Sequence, residues 1–397
     1  MERVVITGIG VISSIGTGIK EFTKSLKDGR DGISRVESFE TGEFSTDRGG
    51  EIKNFVPYLR RISADNFAAT AVYSASAARM AAEDAHADTI DLNRKCSAII
   101  GTTMGEGTEK VEIMRRSLNG GDFGDCSRMP DFRIAQAVCR EMEFHGGAEV
   151  IPNACAAGNS AIIRAYEQIR RGRIEYAFVG VADTLSRSAF IGFTRLRSLA
   201  DGVCRPFDKN RSGLLIGEGA GVLFMESLRS ALSRNVHIYA EVIGWGASCD
   251  AYHSVMPRPD AYGIKKAMND ALRSAMINKN DVDYICAHGT GTHANDKAEA
   301  KAVNEIFGRR LPVSSVKSMI GHAMGAASAL EAAACCAALK YGFIPPTINF
   351  TEPDEECDID CVPNISREAD IRIAVNNAYA FGGNNTSIVL KRYNDYE

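Results

Sequence analysis

No apolar run in this chain is long enough to cross a membrane. The longest, around Ala326 to Leu339, is interrupted by Glu331 and falls short of the ~20 residues a spanning helix needs. A basic excess is also missing. Lys and Arg number 46 against 50 Asp and Glu, a net charge of -4, which excludes nucleic acid as the main partner because nonspecific binding to a polyphosphate needs surplus positive charge. Glycine and proline, 37 and 11 of 397 residues, stand at ordinary levels, so the chain is neither collagenous nor low in complexity. The start, MERVVITGIGVISSIG, lacks the basic n-region and cleavage site of a signal peptide and reads as a first strand and turn. The 11 cysteines are scattered without regular pairing, unlike a secreted disulfide framework, and point to reduced thiols in the cytoplasm. Cys357 and Cys361 stand together in CDIDC, but no second Cys or His pair lies nearby to complete a tetrahedral metal site.

Nucleotide and metalloenzyme motifs fail on spacing. GIGVISSIG places Ser13 where GxGxxG needs its third glycine, and GEGAG, Gly217 to Gly221, precedes a strand-like VLFME instead of opening a helix. There is no Walker A sequence, no HExxH and no GxSxG elbow.

What the chain does carry is an alternation of β-branched and alanine-rich segments, which predicts an α/β fold. Its length is about 2.6 times the usual domain of ~150 residues, so two domains or one large fused core are expected. VVITGIGVI, CSAIIGTT, AEVIPNA and YAFVGVAD read as strands of a first half, with helices over Phe67 to Ala85 and after Asn153. In the second half IYAEVIGWGAS, VDYICAHGT and LPVSSVKS read as strands, Gly263 to Ala275 as a helix, and a capped helix begins at Asp296. A long apolar helix, MGAASALEAAACCAALKYG, and two strands around a glycine turn complete it. A strand that delivers a polar loop onto a helix of small residues occurs at Cys155 and again at His322. That recurrence suggests two similar halves, 1–235 and 236–397, sharing one core without a flexible linker.

Cys155 lies at a strand-to-helix junction, where backbone N–H groups and the helix dipole lower a thiol pKa; read blandly, it is a small buried hydrophobe. His288, in AHGTGT, follows a strand that should end at the carboxyl edge of the sheet, and His322, in KSMIGHAMGAA, stands in a second loop of the same kind. A thiolate and two imidazoles converging on one cavity suit acyl transfer, with the imidazoles holding a developing oxyanion or enolate. Lys317 and Glu331 flank His322 and by charge alone read as solvated surface residues. Asp296 with Glu299 matches a capping box. In AFGGNN, Gly382 and Gly383 can take positive φ and present N–H groups to an anion; otherwise the segment is an ordinary hairpin turn.

Taken in order, NACAAGNSA, RPFDKNRSGLLIGEGAG, AHGTGTHANDKAE, SSVKSMIGHAMGAA, PPTIN and NAYAFGGNN resemble the β-ketoacyl-acyl-carrier-protein synthase family over essentially the whole chain. The histidines in both HGTGT and GHAMGAA look like the elongating Cys-His-His branch. The resemblance implies the thiolase fold, two related halves in a five-layered αβαβα sandwich, usually as a dimer. It implies Cys155 as the acyl-accepting nucleophile, His288 and His322 as donors to the malonyl thioester carbonyl, and Lys317 paired with Glu331 to keep the His322 loop in place. Asp296 and Glu299, like Glu331, would stand behind the catalytic residues, and the N–H groups of Cys155 and Phe381 would form the oxyanion hole beside Gly382 and Gly383. Phe381 matches the gating phenylalanine, Met104 and Phe193 match the acyl pocket, and Arg197, with Arg60 and Arg61, matches basic positions that meet an acidic acyl carrier protein. No metal, redox or other cofactor is implied.

Departures from the family pattern are Ala380 in place of the usual glycine, Asn384 before Asn385 where FGGTN is more usual, and Gly291 where many relatives have serine. They leave two pathways open. One is elongation of carrier-bound acyl chains in fatty-acid synthesis; the other is the ketosynthase of a type II polyketide or polyene system, paired with a cysteine-less chain-length subunit. A noncatalytic scaffold subunit is the reading from another class. Such subunits typically lose the nucleophile, whereas this chain keeps Cys155 and both histidines.

Overall fold

The computed structural model describes residues 1–123 and 126–394. Its first half contributes strands β1 (Val4–Ser13), β2 (Cys96–Thr102), β3 (Gly147–Pro152), β4 (Tyr176–Asp183) and β5 (Gly219–Ser227). The second contributes β6 (Ala240–Cys249), β7 (Tyr284–Cys286), β8 (Val313–Ser314), β9 (Ile373–Ala380) and β10 (Asn384–Lys391). The spatial order is β8-β7-β9-β10-β6-β1-β5-β4-β2-β3. Within each half the third strand in sequence is at the edge, followed by the second, fourth, fifth and first. The pairing senses match as well: the second strand is parallel to the third and fourth, and the fifth is antiparallel to the fourth and first. The halves join where Val4 to Ile6 of β1 pair antiparallel with Ala240 to Val242 of β6.

The principal helices are α1 (Ala69–Asp84), α2 (Phe132–Glu141), α3 (Ala157–Arg170), α4 (Arg187–Arg195), α5 (Tyr262–Ala275), α6 (His293–Phe307) and α7 (Ala326–Tyr341). Helices α3 and α7 pack on each other and on strands of both halves, so they form the middle layer. One outer layer is α1 and α2 against the first half; the other is α5 and α6 against the second. Every side chain of α7 from Ala326 to Leu339 is buried, which explains an alanine-rich helix that is apolar all round. Strand β1 is likewise buried along its whole length, the environment that suits its β-branched VVITGIGVIS. Among the described residues no helix is long and apolar enough to cross a membrane.

The sequence-based elements differ from the structure at two places that matter for the site. LPVSSVKS forms a strand only over Val313–Ser314; the chain then turns into a short helix, Lys317–Ile320, which carries Lys317 inward. The helix expected from Asp296 begins at His293, with Thr292 as its cap residue, so Asp296 and Glu299 lie inside its first turns and form no capping box.

Candidate active site

The carboxyl ends of β3, β7, β8 and β9 deliver Cys155, His288, the Lys317–His322 turn and Phe381 to one place. Cys155 follows β3 in a tight turn, Ala154–Ala156, that opens α3. Ala154 has φ 43, a left-handed conformation that is rare for alanine and marks the turn as strained beside the thiol. Helix α3 is held to α7 at the same level, where Gly158 N–H donates to Ser328 Oγ at 3.0 Å.

The Cys155 thiol and the two imidazoles lie with their ligand atoms within 4.8 Å of one another, and all three residues are buried. The His288 and His322 rings meet edge to face, centroids 5.4 Å apart and planes at 85°. Burial and the Lys317 charge push both imidazoles well below their ordinary value, so both are neutral. Burial pushes the Cys155 thiol up to about 11, with the Lys317 charge pulling the other way. The sequence argument that the helix start lowers this thiol is therefore overturned in the free protein: a desolvated thiolate costs more than the junction returns.

Lys317 and Glu331, surface charges by charge pattern alone but a pair by family resemblance, are both fully buried and form an ion pair. Lys317 also places Nζ 3.3 Å from His288 Nδ1. An ammonium can only donate, so Nδ1 accepts and the ring proton of His288 sits on Nε2. Lys317 thus orients His288 as well as standing under the His322 turn. His322 is fixed through its backbone, its N–H donating to Leu215 O at 2.7 Å and its carbonyl accepting from Gly217 N–H at 2.9 Å. Its Nδ1 is buried without a hydrogen-bond partner.

Asp296 and Glu299 turn back from α6 onto the loop that carries His288. Glu299 accepts from the N–H groups of His288 and Gly289 at 2.9 and 2.8 Å. Asp296 accepts from Phe207, Thr290 and Gly291 N–H. Each carboxylate therefore satisfies several backbone donors that a buried loop cannot leave unpaired.

These groups open on a cavity of about 290 Å³ that is lined by Cys155, both histidines, Phe193, Tyr379 and Phe381. Phe381 and Phe193 pack ring to ring at 5.6 Å across it. Gly382 and Gly383 have φ 80 and 78, as their turn requires, but Gly382 N–H already donates to Ser254 O at 2.8 Å and is not offered to an anion. Met104 lies outside the cavity wall, half-buried in an apolar cluster with Phe193, Phe381, Leu185 and Met324. Arg197 is exposed in the turn after α4, between Leu196 and Ser198, which line the cavity mouth. Arg60 and Arg61 are elsewhere. They border a separate cleft and pair with Glu83 and Glu143.

Sequence reasoning missed the mouth segment Asp250 to Pro257 and Tyr379 of β9. An acid two residues past the IYAEVIGWGAS segment was the available signal for Asp250, which accepts from Asn385 Nδ2 at 2.8 Å. Tyr379 gave none, since its ring meets His288 only across the sheet, at 5.8 Å. A Cys-His-His trio is also a donor set for a soft metal ion, but Lys317, a cation 3.3 Å from one of the rings, opposes a second positive charge there.

Two family models match the chain: Beta-ketoacyl synthase, N-terminal domain, over residues 1–231, and Beta-ketoacyl synthase, C-terminal domain, over residues 239–351. A 3-oxoacyl-[acyl-carrier-protein] synthase 2 of Staphylococcus aureus (strain COL) is 35% identical over 99% of both chains. Among solved structures, the ishigamide ketosynthase/chain length factor is 42% identical, with a TM-score of 0.95 over 99% of this chain and 100% of that one. AntDE:AntF, a type II PKS acyl-carrier protein in complex with its ketosynthase bound to the hexaketide, is 30% identical, with a TM-score of 0.89 over 99% of this chain and 100% of that one. The five layers, the repeated strand order and the matches across both halves make this a thiolase fold, and the chain belongs to the beta-ketoacyl synthase family.

Proposed function

We propose that this protein is a β-ketoacyl-acyl-carrier-protein synthase that lengthens an acyl chain by decarboxylative Claisen condensation. The observation that carries the reading is the convergence of one buried thiol and two neutral imidazoles in a cavity behind an aromatic pair. Cys155 Sγ attacks the acyl-carrier thioester, its proton leaving with the carrier thiol, and holds the chain as a new thioester. Malonyl carrier then enters. As its carboxylate leaves as CO2, Nε2–H of His288 and the His322 ring stabilise the enolate oxygen. Neutral donors suit this step, because water would reprotonate the carbanion equivalent. The enolate attacks the acyl-enzyme carbonyl, whose oxyanion is held by the N–H groups of Cys155 and Phe381; its collapse breaks the Cys155 Sγ–acyl bond, the thiolate takes up a proton from solvent, and the product is a 3-ketoacyl carrier two carbons longer. None of these steps needs a metal or redox cofactor.

In this reading Phe381 gates the nucleophile, Met104 and Phe193 bound the acyl pocket, and Arg197 meets the acidic carrier at the mouth. Arg60 and Arg61 offer a second basic contact away from it. Unlike patches raise the association rate, which fits a brief carrier encounter. The exposed edge strand β3 offers backbone groups to a second subunit, identical or homologous. Cys96, Cys204, Cys286 and Cys335 stand as buried thiols without a disulfide, which fits the cytoplasm. A division into halves near residue 235 is supported by the gap between β5, which ends at Ser227, and β6, which begins at Ala240.

A second reading makes the protein the catalytic subunit of a type II polyketide or polyene synthase with a chain-length partner. It is favoured by the higher identity, 42% against 35%, to the ishigamide ketosynthase/chain length factor than to the synthase 2 relative. Gel filtration separates the two: a stable, active homodimer supports fatty-acid elongation, and dependence on a co-expressed homologous subunit supports the second reading. Intact mass after incubation with acyl carrier tests both. An adduct is expected on Cys155 and absent from Cys155→Ala, which should not condense; an unmodified wild-type chain refutes the nucleophile. Cys155→Gln should keep malonyl decarboxylation, because both histidines remain, and its complete loss in a folded variant counts against their roles.

A further inference from the structure

Resting on the condensing reading above, we propose that Asp183 is a positioning residue, whose one carboxylate fixes both the loop that places Met104 and the turn that carries His322. Asp183 ends β4 and is fully buried. Its Oδ1 accepts from Thr102 Oγ1 at 2.7 Å, Met104 N–H at 2.9 Å and Thr103 N–H at 3.0 Å. Its Oδ2 accepts from Gly325 N–H at 2.9 Å. Thr102 Oγ1 in turn accepts from Gly105 N–H at 2.8 Å, so residues 102–105 wrap around the carboxylate.

This loop belongs to the first half, whereas Gly325 belongs to the second, three residues past His322 and immediately before α7. One carboxylate therefore holds together the pocket side and the enolate side of the site. The approach at Gly325 is close: a Cβ there would stand 2.9 Å from Asp183 Oδ2 and from Thr103 Oγ1, so only glycine leaves the contact intact. None of these partners is a cation, and burial pushes the Asp183 carboxyl up to about 6. A buried acid without a counter-ion is costly. It is tolerated where two backbone donors of one loop and the N-terminus of a long buried helix all depend on it. Asp183 also adds negative charge near Cys155, which acts on the thiol in the same direction as burial.

Asp183→Asn keeps the shape but has one acceptor oxygen in place of two. Whichever way the amide turns, its NH2 faces a donor, and one arm is released. Malonyl-carrier decarboxylation, product chain length and the pH profile of Cys155 alkylation by iodoacetamide are measured on this variant and on Gly325→Ala. Asp183→Asn is expected to lower the decarboxylation kcat by about tenfold or more, with a smaller change in KM. It should also change the product length and shift the alkylation profile to lower pH, which a merely structural role would not do. Gly325→Ala keeps the charge, so it should lower decarboxylation without moving the alkylation profile, and it carries the test if Asp183→Asn does not fold. Wild-type decarboxylation and product length in either folded variant overturn the proposal. A wild-type protein that neither decarboxylates nor condenses overturns instead the reading on which it rests.

Discussion

Lys317 and Glu331 form an ion pair in which neither side chain reaches solvent. Removing one partner leaves the other charge buried and uncompensated. Glu331→Gln should therefore lower unfolding free energy by roughly 3–5 kcal/mol, read from denaturant melts, whereas the apolar double variant Lys317→Met with Glu331→Leu should recover much of that loss. The double variant should remain inactive, because His288 loses the ammonium that orients its ring. A Glu331→Gln protein as stable as wild type would contradict the buried pair.

Thiol reactivity gives a second test. Burial pushes Cys155 up to about 11 and the Lys317 charge opposes it. Alkylation of the free protein should rise steadily through neutral pH without levelling below about pH 8, and Lys317→Met should slow it several-fold at fixed pH. A plateau in the neutral range would show a thiolate already formed.

Chain length should respond to Met104, which packs with Phe193 and Phe381 in the cluster beside the cavity. Met104→Trp is expected to shorten the longest accepted acyl chain, measured against a ladder of acyl carriers, with little effect on short ones. An unchanged product range would place the acyl pocket elsewhere.

Glu299 couples the His288 loop to pH. Its carboxyl moves from an ordinary value of 4.5 to about 7 in the fold, chiefly through burial. Between these values the folded chain keeps a proton that the unfolded chain has released. Its contribution to stability is thus fully present below about pH 4.5 and lost as the pH rises through about 7. Glu299→Gln should flatten the fall in Tm between about pH 5 and pH 7. The same slope in the variant would assign the effect to other groups.

Much of the site was legible because its chemistry sits in short segments. Cys155 at a helix start and His288 and His322 in matching loops could be read from local order, and the alternation of strands and helices gave the α/β layers. What local order alone could not show depends on how the elements pack on one another. Lys317 and Glu331 look like surface charges until a short helix turns Lys317 inward against α7, and Asp296 and Glu299 look like a cap until the helix starts three residues earlier. The direction of the Cys155 shift was wrong for the same reason: local sequence shows the helix start, but not the burial that outweighs it.

Strand β1 is synthesised well before its two long partners, β5 and β6, which begin only at Gly219 and Ala240. During translation this β-branched segment must therefore wait, paired only with Gly16–Thr17 at its end, while more than half of the polypeptide emerges, exposed to wrong association throughout. Slow maturation and reliance on chaperones in the cell are the expected consequence, with the seam between the halves closing last.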